Sequence, residues 1–226
     1  DTFKLNETFA GAIMAADNVL ALFLLPFFGA LSDKTSTRIG RRMPFIVGGT
    51  AAAVILMNLI PLLDDRYAAS PSTGTLVLFI VVLGLLLVAM GTYRSPAVAL
   101  MPDVTPKPLR SRANAIINLM GAVGGILYLG LAAVLYPASK TKGVEHVSYR
   151  PLFFIVSMIM VVAVVVLYLT IKEPKLEAEN QKLEATHPEW NLATDDGTGH
   201  EVLPAPVKRS LSFLLVSISL WFIGYN

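Results

Sequence analysis

The sequence predicts an all-α protein that crosses a membrane several times. Three observations predict it. Of the 226 residues 54% are apolar and only 15% are charged, the mean hydropathy is +0.63, and the apolar residues come in blocks. A soluble domain carries nearer a quarter charged residues. A bilayer core about 30 Å thick needs roughly 20 residues of helix to span it. Blocks at about 9–31, 44–63, 75–96, 113–136, 152–171 and 210–226 meet or approach that length. A single run of this kind also suits a buried core helix. Six in succession, parted by short polar loops, do not.

The elements follow in order. The first block gives way to charge at Ser32-Asp33-Lys34, and the second opens after Arg41-Arg42-Met43-Pro44. The third runs to Tyr93-Arg94. In the fourth, Gly121, Gly124 and Gly125 put small residues on closely related faces, which lets helices approach; Gly48-Gly49 and Gly84 offer the same. After the fifth block, Glu173 to Glu184 is rich in Glu, Lys, Ala, Leu and Gln and suits a surface helix. His187-Pro188 through Pro206 carries Gly, Asp, Thr and Pro and reads as an irregular linker. The last block starts near Ser210 and stops at Asn226, short of a full crossing, so the chain is expected to be a piece of a longer protein.

Cations orient the bundle. Loops 32–44 and 94–112 hold Lys34, Arg38, Arg41, Arg42, Arg94, Lys107, Arg110 and Arg112, and Lys172, Lys175, Lys208 and Arg209 flank the stretch 172–209. The other side has Lys4, Arg66, Lys140, Lys142 and Arg150. By the positive-inside rule, loops 32–44, 94–112 and 172–209 are cytoplasmic. Residues 1–7 then lie outside, which implies a missing first helix. The expected organisation is a helical half at 1–171 lacking its first helix, a cytoplasmic linker at 172–209, and the start of a second half at 210–226. Such two-halved organisation suits a transporter.

Charge at membrane depth is costly, so it marks candidates for function. Asp17, with Asn18 beside it, lies well inside the first block. A carboxylate there faces a watery cavity or a cation, and burial raises its pKa, as proton coupling requires; the alternative is a structural hydrogen bond between helices. Arg94, ending the third block, binds a substrate hydroxyl or carboxylate, pairs with an acid, or snorkels to the cytoplasmic surface. Asn58, Asn114, Asn118 and Tyr128 are polar groups in or near spans, and Asn114 and Asn118, four apart, share a helix face suited to lining a cavity. Asp33 sits where one helix ends and the next begins. It can accept from a helix N-terminus and from Arg41 and Arg42, forming a latch whose opening shifts a conformational equilibrium.

Other chemistry has no visible carrier. A net charge of +2 with no basic stripe argues against nucleic acid, and the absence of cysteine excludes disulfides and thiolate metal sites. His146, His187 and His200 fall in loops with no paired ligand nearby, and Gly197-Thr-Gly199 is too short for a nucleotide loop. No catalytic residue, cofactor or metal is expected.

Gly29-x-x-x-Asp33 resembles the loop signature of the major facilitator superfamily. Its longer spacing to Gly40, closing on Gly40-Arg-Arg-Met-Pro-Phe45, looks like the glycoside–pentoside–hexuronide symporters and the related sucrose-carrier-like group. Ser95-Pro-Ala-Val-Ala-Leu-Met-Pro-Asp-Val-Thr105, with Arg110 and Arg112 after it, looks like their next cytoplasmic loop. The resemblance implies a major-facilitator-type bundle covering roughly helices 2 to 7, and a cation-coupled sugar carrier working by alternating access. The melibiose-carrier branch has acids where this chain has Leu25 before Pro26 and Ala21 one turn back, so the resemblance favours protons over sodium. Plant sucrose carriers usually have an arginine where this chain has Val98, and Arg94 lies one turn away.

The leading expectation is a proton-coupled symporter for a disaccharide or glycoside in a plasma membrane, or the inner membrane of a bacterium. Its candidate substrate and proton residues are Asp17, Asn18, Arg94, Asn114 and Asn118, and its latch is Gly29, Asp33, Gly40, Arg41 and Arg42. An exporter of drugs or metabolites with the same fold is the first alternative. A non-transporting scaffold or sensor acting through 172–209 is the second.

Overall fold

The computed structural model describes residues 7–141, 143–144, 146–190, 194–195, 201–202 and 205–225, without the side chains of residues 7–10, 12–18, 138, 140 and several near the end of the chain. The chain divides into two compact units, residues 1–180 and 181–226.

The first unit is a bundle of long helices. Helix α1 (Glu7–Lys34) ends in the charged turn, and α2 (Met43–Ala69) begins with Pro44 near its first position, where a missing N–H costs nothing. Helix α3 (Thr73–Val104) stops at Thr105, which is extended at φ −118° and ψ 128° because Pro106 follows it. A single 3-10 turn at Lys107–Leu109 leads into α4 (Arg110–Leu135). One turn of α5 (Ala138–Thr141) precedes α6 (Arg150–Thr170), and α7 (Glu173–Thr186) follows after two residues. Among the described residues, α2, α3, α6 and the stretch Lys107–Leu135 are long and apolar enough to cross a membrane.

Two boundaries differ from those expected. The apolar run of the third block ends near residue 96, yet α3 continues for eight more residues through Pro96 and Pro102. Transmembrane helices tolerate proline because neighbours satisfy the freed carbonyls. Arg94 therefore does not end a helix; it lies ten residues, or about 15 Å, before the end of α3. The loop expected at 94–112 shrinks to Thr105–Leu109.

Helix α3 packs against α1 and α2, and α2 also packs against α6, while α4 touches α3 and α6 over a short length. Ala53 of α2 and Leu86 and Ala89 of α3 are buried together, with Leu56, Met57, Ile60 and Tyr93 around them. Small residues set the spacing. A Cβ at Gly49 would sit 3.0 Å from the backbone N of Tyr93, one at Gly91 3.2 Å from Leu24, and one at Gly29 2.9 Å from Ser95 Oγ. Of the glycines expected to bring helices together, Gly49 does so and the others do not. A Cβ at Gly48, Gly84, Gly121, Gly124 or Gly125 would meet nothing within 4 Å, and α4 buries no residue. A polar tie adds to the α2–α6 contact: Asn58 Nδ2 donates to Ser157 Oγ at 2.6 Å and to Val54 O, and the Ser157 hydroxyl donates to Phe153 O.

The second unit holds the end of α7, a 3-10 turn at Pro188–Trp190 and α8 (Ala205–Tyr225). His187 stacks on Trp190 with ring centroids 4.5 Å apart. Strands β1 (Thr194–Asp195) and β2 (Glu201–Val202) pair antiparallel within the expected linker. His200 and Gly197–Gly199 lie outside the described residues.

Candidate functional site

The charged turn between α1 and α2 is built around the unpaired N–H groups at the start of α2. Every helix begins with four such donors. The residue before α2, Arg42, provides no side-chain cap, and the first turn carries no acid of its own. Glu173, the first residue of α7, supplies both from 130 positions away. Its Oε1 accepts from the backbone N–H of Arg41 at 2.8 Å and of Arg42 at 2.9 Å, and its Oε2 from that of Met43 at 3.0 Å. The Glu173 side chain is 0% exposed. A buried carboxylate persists only when paired and hydrogen-bonded, and here the helix dipole adds to the attraction.

Gly40 makes this approach possible. Its φ is +120°, a left-handed conformation glycine adopts freely, and a Cβ there would lie 2.1 Å from Glu173 Oε2. Thr37 closes the turn, its hydroxyl donating to Gly40 O at 2.6 Å while Gly40 N–H donates to Thr37 O at 3.1 Å.

The arginine side chains reach the other way. Arg42 NH2 meets Asp33 Oδ1 at 2.5 Å, its Nε meets Asp103 Oδ2 at 2.9 Å, and its NH1 bonds to Ser32 Oγ. Arg41 NH2 pairs with Glu177 at 2.7 Å and lies 3.4 Å from Asp103. Asn180 donates to the carbonyl of Asp103 at 3.1 Å. Burial works to lower the Arg42 pKa, but the hydrogen bond and charge of Asp103, with the charge of Asp33, outweigh it and hold the guanidinium above the ordinary arginine value. Arg41 Nε is buried with no partner among the described residues.

The structure thus brings Gly29, Asp33, Gly40, Arg41 and Arg42 together, and adds Asp103, Glu173 and Glu177 from α3 and α7. The N-terminus of α2 is taken by Glu173, whereas Asp33 serves the Arg42 side chain. Sequence reasoning quoted Asp103 only as part of a loop, and missed both glutamates because nothing local links them to residue 41.

The candidate substrate residues are not joined in this way. The backbone of Asp17 and Asn18 lies in α1, and their side chains lie outside the described residues. Exposed Arg94 borders a small cavity with Leu20, Ala21 and Leu24 of α1 and Met90 and Gly91 of its own helix. Asn118 donates to the carbonyl of Asn114 within α4, and both residues are exposed. Tyr128 is exposed as well.

At the opposite end of α2, the structure corrects the expectation that no histidine has a nearby partner. His146 Nε2 lies 2.8 Å from Asp65 Oδ1, and Asp65 Oδ2 accepts from Ser148 Oγ at 2.7 Å and forms an ion pair with Arg150 Nε at 2.6 Å. Asp64, Asp65 and His146 place ligand-type atoms within 4.8 Å of one another. Arg150 pairs with Asp65 in the same cluster. Asp65 and His146 are 81 positions apart, too far for spacing to announce the pair.

Helices of membrane length, joined at one end by this charged turn, define a polytopic α-helical membrane protein. The sequence model of the Major Facilitator Superfamily matches residues 1–226, and the chain belongs to that family. Sucrose transport protein SUC3 of Arabidopsis thaliana is 33% identical over 138 residues, which covers 56% of this chain and 23% of that protein. Sucrose transport protein SUC4 of the same plant is 32% identical over 129 residues, covering 54% and 25%. Sucrose transport protein SUT4 of Oryza sativa subsp. indica is 25% identical over 215 residues, covering 86% and 36%. The chain thus spans about a quarter to a third of the length of these relatives. No solved structure matches it.

Proposed function

We propose that this chain is part of a proton-coupled sugar symporter that works by alternating access. The likeness to sucrose transport proteins of two plants carries the reading, and it favours a disaccharide or glycoside as cargo. In this reading, residues 1–171 belong to the first helical half, 172–209 to a cytoplasmic linker, and 210–226 to the start of the second half. The turn at 29–44, the end of α3 and the start of α7 lie on the cytoplasmic side of a plasma membrane or bacterial inner membrane.

Asp17 is the proposed proton carrier, with Asn18 beside it as a sugar ligand. Arg94 and the pair Asn114 and Asn118 complete the proposed sugar contacts. The depth of Arg94 in α3 supports this role, because a cation there needs water or a polar partner. The cluster around Arg42 is the proposed latch. It fixes α1, α2, α3 and α7 at one end of the bundle, and its opening would shift the inward/outward equilibrium.

The test uses the full-length protein in proteoliposomes under an imposed proton gradient. Labelled sucrose accumulates with an inward gradient and not without it, and Asp17→Asn abolishes the accumulation while the protein stays folded. Undiminished uptake by Asp17→Asn sinks the assignment. Gradient-driven loss of solute from the vesicles shows an exporter instead, and no solute movement under any gradient shows a non-transporting protein.

A further inference from the structure

Beside the buried Glu173 lies a cleft of about 430 Å³, between the turn that precedes α2 and the corner where α6 passes into α7. One side of it is cationic. Arg38, Lys172 and Lys175 are all exposed, and none of their side chains forms an ion pair among the described residues. The carboxylate of Glu173, next to Lys172 in the chain, is taken up by the N–H groups of residues 41–43. The other side is apolar, formed by Ile39, Tyr168 and Leu169, and all three are exposed.

The apolar side continues along α6. Leu169, Val166 and Val162 follow one another at spacings of three and four, so they share one face of the helix, and each is more than half exposed. This places a cationic rim where a spanning helix leaves the membrane, directly over an apolar stripe running back into it. A free anion would use the rim and leave the stripe unused. An amphiphile with an anionic head and a long chain uses both. Basic pockets at the ends of transmembrane helices recognise lipid phosphates in this way, and Tyr168 has the amphipathic character favoured at the headgroup level.

We propose that this cleft binds one anionic phospholipid. Its phosphate lies among Arg38, Lys172 and Lys175, and an acyl chain runs along Leu169, Val166 and Val162. Because Lys172 adjoins Glu173 in the chain, the bound lipid steadies the clamp on the first turn of α2. The proposal requires only that α6 spans a membrane, so it stands or falls apart from the identity of the cargo.

The test uses the full-length protein in detergent micelles, with phosphatidylglycerol, phosphatidylcholine and inorganic phosphate as probes and native mass spectrometry as readout. Phosphatidylglycerol is retained in preference to phosphatidylcholine. Each cation near an anionic headgroup is worth about fivefold in affinity, so Arg38→Gln, Lys172→Gln and Lys175→Gln together weaken retention on the order of 100-fold. Equal retention of the two lipids, or undiminished retention by the triple variant, overturns the proposal. Thermal protection by inorganic phosphate equal to that by phosphatidylglycerol assigns the cleft to a free anion and overturns it too. A second measurement needs no variant: phosphatidylglycerol with a photoreactive acyl chain labels the peptide containing residues 162–169 in the unmodified protein, and labelling confined to other helices counts against the site.

Discussion

Glu173 Oε2 occupies the space that a side chain at Gly40 would need, only 2.1 Å from where a Cβ would stand. The carboxylate cannot step aside cheaply, because three backbone N–H groups hold it. Gly40→Ala therefore meets both a clash and a backbone angle that costs a non-glycine residue about 1–3 kcal/mol. The expected result is a loss of at least that much stability in thermal unfolding. The loss shrinks toward the backbone cost when the same change is made in a Glu173→Ala background, which removes the clash. Equal losses in both backgrounds would show that the carboxylate is free to move.

Glu173→Gln keeps the shape and removes the charge. Hydrogen bonds to charged groups are worth about 1.5–3 kcal/mol, and the amide NH₂ of glutamine faces donors it cannot accept from. A lower Tm is expected, with faster hydrogen exchange at the first turn of α2. Unchanged exchange there would mean that the turn holds without the carboxylate.

Arg42 bridges α1 to α3, and lysine cannot reproduce its planar fork. Removing one partner of a fully buried pair costs about 3–5 kcal/mol. The expected loss for Arg42→Lys is at the lower end or below, because the Asp33 side chain is 55% exposed. The raised pKa of Arg42 gives the sign of its pH dependence. Its contribution is fully present below the ordinary arginine value and is lost only as pH rises past the raised one. The Tm difference between the unmodified protein and Arg42→Lys should therefore not fade as the pH is raised from neutrality to mildly alkaline values, and a difference that vanishes over that range contradicts the assignment.

The opposite end of α2 gives a smaller effect. Asp65 and Arg150 meet at 2.6 Å, but the Arg150 side chain is 52% exposed. A double-mutant cycle of Asp65→Asn and Arg150→Gln should return a coupling of about 0.2–1 kcal/mol, as for other exposed pairs. Asp65→Asn alone should cost more than Arg150→Gln, because Asp65 also serves Ser148 and His146.

Arg94→Gln should weaken sugar binding while leaving the Tm nearly unchanged, since Arg94 holds no ion pair among the described residues. Binding measured by counterflow decides this, and an unaltered half-saturation removes Arg94 from the site.

What was legible in the sequence divides by range. The spans could be read because apolar length is a local property, and the Asp33–Arg42 pair because nine residues separate its members. The end of α3 could not, because Ser95-Pro96 and Pro102-Asp103 look like loop text unless neighbouring helices are known to satisfy the carbonyls that proline frees. The clamp by Glu173 lies beyond any local pattern. Even so, an α2 start with neither cap nor acid signalled that its partner had to come from elsewhere. The packing role given to Gly121, Gly124 and Gly125 failed for a similar reason. Small residues permit close approach without supplying a neighbour, and among the described helical glycines Gly29, Gly49 and Gly91 meet one on another helix.

The tie between Asn58 and Ser157 has a direction. Ser157 spends its proton on Phe153 O, so it can only accept, and the amide of Asn58 must be the donor. Sliding α6 by one turn along α2 would strand a donor and an acceptor in an apolar seam, at a cost that hydrocarbon surroundings raise. The pair at mid-length therefore selects one register of α6 against α2, in addition to the packing between them.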